Sequence, residues 1–69
     1  MLGSYLVQVT RISKEIAEEL AHFGSVGLVS KSMCIYSLET QVEFIPIIEA
    51  LSFVVVIEMD GKGFLKYKV

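Results

Sequence analysis

Residues 26–38 of the chain read VGLVSKSMCIYSL, and the topology turns on how this stretch is taken. Two short apolar runs, 26–29 and 33–38, flank Ser30, Lys31 and Ser32, so an antiparallel hairpin is the economical reading even without an Asn-Gly or Asp-Gly pair at the turn. A hairpin here means that two strands follow one another directly. The segments on either side then decide what kind of sheet receives them.

Upstream, residues 5–9 alternate Tyr5, Val7 and Val9 with Leu6 and Gln8, a period-two pattern of strand formers. Ser13 offers its hydroxyl as a helix cap, and Glu15 lies in the first turn, where the helix dipole favours a negative charge. Ile12, Ile16, Leu20 and Phe23 recur at helical spacing, with Lys14, Glu15, Glu18, Glu19 and His22 largely on the opposite side. Gly24 then stands where a helix often needs a residue with positive φ, so the helix is expected to stop there.

Downstream, Thr40 and Glu43 have the spacing of a capping box. Pro46 argues against a helix starting at Thr40, because it would lie beyond the first turn and cost about 3 kcal/mol. The helix is therefore expected to begin near Glu43, with Pro46 in or near its first turn. Residues 53–59 contain Val54, Val55, Val56 and Ile57 in succession and are expected to form a central strand buried on both faces. Residues 60–63 read as a turn, and residues 64–69 alternate apolar and basic residues as a short edge strand or ordered tail would.

The element order β-α-β-β-α-β defines an α+β fold, the ferredoxin-like two-layer sandwich: an antiparallel sheet with both helices on one face, open to a short fifth C-terminal strand. One such domain takes up residues 1–69, a length too short for two folding units. Hydrophobic residues make up 54% of the chain and charged residues 20%, the opposite of a disordered composition. A domain this small buries only about 60% of its unfolded surface, so much apolar area must remain near the outside. The uncharged stretch 50–57 is far shorter than the roughly 20 residues that span a bilayer, so no membrane is expected to cover it. The first residues show no secretory-signal pattern, and a cytoplasmic location is the default expectation. An identical copy of the chain, forming a homodimer, is the favoured cover, through either the open sheet face or an edge strand.

Chemistry-bearing patterns are sparse. His22 and Cys34 are expected on separate elements, and a buried structural thiol explains Cys34 better than a nucleophilic pair does. Glu18, Glu19 and His22 supply one helical carboxylate and imidazole set where carboxylate metal sites need two and more. Gly61, Lys62 and Gly63 lack the full spacing of a phosphate loop and read as a tight turn. The chain contains no asparagine, which excludes an acylphosphatase. No catalytic residue, cofactor or metal is assigned, and the chain is expected not to be an enzyme.

The formal charge of −2 removes bulk attraction to nucleic acid. RNA-recognition domains share this topology, and Tyr5, Tyr36 and Phe53 fall on expected strands, but the third strand lacks their basic, multiply aromatic run. Lys62, Lys66 and Lys68, with Lys31 or Arg11, could form a small anion-attracting patch beside Tyr36; lysines protecting a solvated edge are the plainer explanation. These five residues, Lys31, Tyr36, Lys62, Lys66 and Lys68, are the candidate contacts for a nucleic acid or a protein partner. An ACT-like regulatory domain binding a small ligand is a further alternative, although residues 10–13 lack the glycine-containing ligand loop.

The run 23–31, FGSVGLVSK, followed by Met33, Ile35 and Tyr36 and later by Leu51, Ser52, Phe53 and Val54, resembles the YlbG-like family of small bacterial cytoplasmic proteins. The resemblance covers about the middle two-thirds of the chain. It implies a ferredoxin-like fold and a protein without assigned catalytic activity, and it carries over no active-site residue. The leading expectation is accordingly a non-catalytic interaction or adaptor module that self-associates.

Overall fold

The computed structural model describes residues 2–59. The elements run β1 (Leu2–Val9), α1 (Lys14–Ala21), β2 (Gly24–Ser30), β3 (Ile35–Gln41), a 3₁₀ turn (Val42–Phe44), α2 (Ile45–Glu49) and β4 (Val54–Met59). The four strands form one sheet in the order β2-β3-β1-β4, and every neighbouring pair is antiparallel. Each helix links strands that are not neighbours. The β1-α1-β2 connection leaves a slot that β3 fills, and the β3-α2-β4 connection passes over β1. The result is an α+β arrangement compatible with a small two-layer sandwich.

Local chemistry explains where α1 begins. Ser13 is extended and its hydroxyl accepts a hydrogen bond from the Glu15 amide at 3.1 Å, satisfying one of the helix's free donors. Ile16 and Leu20, one turn apart, are both buried against the sheet. The helix ends at His22, and Gly24 is already the first residue of β2 rather than a helix stop with positive φ. Its glycine is required for another reason: a Cβ there would run into the backbone carbonyl of Glu39 on β3. Strand β2 therefore lies against β3 at a point where no side chain fits between them.

Thr40 departs from the capping-box expectation. It is the last buried residue of β3, fully shielded, and its hydroxyl donates to the carbonyl of Phe23 at 2.7 Å. The 3₁₀ turn that follows has no side-chain cap, and Pro46 occupies the first turn of α2, where its missing N–H removes no helical bond. The helix expected near Glu43 thus starts as a 3₁₀ turn and becomes α-helical at Ile45.

The core is one cluster of Val7, Val9, Tyr36 and Leu38 from the two inner strands with Ile16 and Leu20 of α1 and Ile48 of α2, so both helices cover the same sheet face. Inner-strand position explains this selection. Val7 faces Tyr36 on one side and Ile57 on the other, so neighbours close around it in the sheet plane as well as from the helices above.

Strand β4 is the main correction. Its expected central position belongs to β1 and β3, and among the described residues β4 is an edge strand with Val55 61% and Val56 41% exposed. A run of valines records strand propensity and a wish for burial, but the crossover connections decide which strand lies inside. Cys34 is corrected as well: it belongs to the turn before β3, at φ 59°, and is half-buried against the core rather than on the third strand. The fifth strand expected over residues 64–69 lies outside the described residues.

Candidate interaction surface

The pairing register assigns every strand residue to a face. Tyr5, Leu38 and Val26 share one row, and Val7, Tyr36 and Leu28 the next, all on the helix side. The other face carries Ser4, Glu39 and Ser25 in one row and Leu6, Ser37, Gly27 and Glu58 in the next, with Leu2 and Gln41 at one end and Gln8, Ile35, Ser30 and Val56 at the other. This uncovered face is mainly hydrophilic, with Leu6, Ile35 and Val56 as an apolar strip toward one end. Small side chains in adjoining strands make a shallow depression of about 330 Å³ at the other end, lined by Ser4, Ser25, Gly27, Ser37 and Glu39. The open face is therefore a poor candidate for hydrophobic association, and the apolar excess has gone elsewhere.

It lies along the margins. Apart from Leu2 at the start of β1, the large apolar side chains left exposed among the described residues are Leu28 and Val29 on β2, Met33 in the following turn, Val55, Val56 and Met59 on β4, and Val42, Phe44 and Ile47 around α2. Both edge strands carry them. Both also carry a bulge, at Val29 in β2 and at Val55 in β4, where the register with the inner neighbour slips. Such bulges limit how far a further strand can pair along an edge. They leave 24–28 as the straight run of β2 and 56–59 as that of β4.

Beside the β2 edge, the helix-side face opens into a groove of about 410 Å³ lined by Lys14, Ala17, Glu18 and Ala21 of α1 with Val26, Gly27, Leu28 and Tyr36 of the sheet. The groove exists because α1 presents alanines, rather than long side chains, toward the edge strand. Lys14 and Glu18 frame it with opposite charges.

Of the five candidate contacts singled out from the sequence, Lys31 and Tyr36 are described, and only Lys31 is on the surface. Lys31 is exposed in the turn between β2 and β3. That turn is held by the Ser30 hydroxyl, which accepts from the Met33 amide at 3.2 Å, and by the Gln8 side chain, which donates to the Met33 carbonyl at 3.2 Å. Tyr36 is 5% exposed and points into the core, where its hydroxyl donates to the Ser13 carbonyl at 3.1 Å and accepts from the Ser13 amide at 3.2 Å. It braces the loop between β1 and α1 and offers no ring for a base to stack on. Tyr5 is likewise buried on the helix side. Lys62, Lys66 and Lys68 lie outside the described residues. His22 caps α1, and among the described residues no group of three His, Cys, Asp or Glu side chains could hold a metal ion.

Ala17, Ala21, Gly27 and Leu28 are the surface residues that sequence reasoning passed over. Their signal was present: alanines one turn apart on α1, and two glycines three residues apart in β2. Among the described residues no helix is long and apolar enough to cross a membrane. No protein-family model, curated protein or solved structure matches this chain.

Proposed function

We propose that this chain is a non-catalytic, ferredoxin-like interaction module that self-associates through an edge of its sheet. The observation that carries the reading is the placement of apolar surface: large hydrophobic side chains are exposed on both edge strands, while the uncovered sheet face is mainly polar. An edge also presents unpaired backbone N–H and C=O groups, which a further strand can satisfy. The strand order β2-β3-β1-β4 and the helices gathered on one face support the ferredoxin-like description. The resemblance of residues 23–36 and 51–54 to the YlbG-like family of small bacterial cytoplasmic proteins supports this reading.

A nucleic-acid or small-ligand role has less behind it. The aromatic ring it would use, Tyr36, is in the core, and the loop after β1 is closed by that ring's hydroxyl. Sedimentation velocity across the micromolar range tests the leading reading. A concentration-dependent shift from monomer to dimer is expected, and a single monomeric species at every concentration would refute self-association.

A further inference from the structure

We infer that the second copy docks on strand β2, pairing antiparallel with its counterpart about a two-fold axis at Val26, with the two α1 helices side by side over the joined sheet. The inference rests on the self-association reading and names the surface it uses.

The straight run 24–28, GSVGL, is complementary to its own reversal. Antiparallel pairing about Val26 sets Leu28 opposite Gly24 of the partner subunit and Ser25 opposite Gly27 of the partner subunit. Side chains on one face must meet on one face, and they do: Gly24, Val26 and Leu28 are on the helix side, Ser25 and Gly27 on the other. Leu28 is 54% exposed in the single chain. Gly24 has no side chain and no room for one, because the Glu39 carbonyl lies where its Cβ would be. The partner's Leu28 therefore meets no opposing side chain and lies beside the groove lined by Ala17, Ala21 and Val26. Alanines on this side of α1 let a second helix approach closely. Lys14 and Glu18, one turn apart, both border the groove, so each copy brings one ammonium and one carboxylate to the contact.

Strand β4 fails the same operation. Pairing about Ile57 places Val56 against Glu58 of the partner subunit, and pairing about Glu58 places two carboxylates opposite each other, which is destabilising. The bulge at Val29 then sets the length of the β2 contact by ending the straight run after Leu28.

The test uses the full chain with Cys34→Ser, carrying either Ser25→Cys or Gly27→Cys on the exposed sheet face. Mixed in equal amounts and mildly oxidised, the two variants are expected to form a disulfide-linked heterodimer in preference to either homodimer. An equal mixture of Val56→Cys and Glu58→Cys chains in the same background reports on β4, because pairing about Ile57 sets those two positions opposite each other. In parallel, Leu28→Asp and Ala17→Glu are each expected to weaken dimerisation by about tenfold or more, with an unchanged far-UV circular dichroism spectrum. A dimer that cross-links through Val56→Cys, or one indifferent to Leu28→Asp and Ala17→Glu, would overturn the β2 interface while leaving self-association standing. A monomer at all concentrations would overturn both.

Discussion

Val7 and Val56 are the same residue type on adjacent strands, yet Val7 is fully buried while Val56 is 41% exposed. The first has a strand on each side and helices above; the second lies on a margin and faces away from the helices. The contrast shows that apolar surface in this chain is distributed by position in the sheet, not by strand composition. The inner strands form a closed core, and the outer strands hold the surface from which association is proposed.

The margin itself is uneven, and the largest expected effect exploits this. On β2, Gly24→Ala should destabilise the fold by about 3 kcal/mol, since the intruding Cβ meets a backbone carbonyl that cannot turn aside. Gly27→Ala, three residues along, meets only the Ser37 hydroxyl at 2.8 Å and should change stability by about 0.5 kcal/mol. Urea denaturation of the pair measures both, and equal losses would show that β2 does not pack so tightly at Gly24.

The valines come next. Val7→Ala deletes two methyl groups from a filled core and should destabilise by on the order of 2 kcal/mol. Val56→Ala should alter unfolding of the dilute chain by no more than about 0.5 kcal/mol. A Val56→Ala loss as large as that of Val7→Ala would mean that β4 is covered more completely than its exposure in the single chain indicates.

A smaller loss than that of Val7→Ala concerns how the core reaches the loop above it. Tyr36→Phe keeps the buried ring but removes the hydroxyl that bridges the Ser13 amide and carbonyl, at about 1 kcal/mol. Amide hydrogen exchange should accelerate at Ser13 and in the first turn of α1 while the protection of β1 and β3 persists. Uniform acceleration across the chain would instead make Tyr36 a plain packing residue.

Much of the local structure was readable. The alternation in residues 5–9 marks β1, the Ser13 cap and the spacing of Ile16 and Leu20 mark α1, and Pro46 belongs near the start of α2, as its fixed φ and missing N–H require. Each signal depends on a few consecutive residues and on backbone chemistry that acts within one or two turns. Thr40 shows where such signals end. Its spacing to Glu43 imitates a helix cap, but its hydroxyl is taken by the Phe23 carbonyl, a partner distant in sequence. Of the interaction surface only the ingredients were legible: small residues in α1 and β2, and an apolar content too high for so short a chain.

The order of residues along the chain by itself determined the sequence of strands and helices and which side chains seek burial, because periodicity and capping are local properties of a polypeptide. Only the tertiary structure decided that β1 and β3 would be inside and β4 outside, that Gly24 is needed for a close approach rather than for its φ, and that the uncovered sheet face would be polar. Those outcomes depend on contacts between residues remote in sequence, where two crossing connections compete for the same places in one sheet.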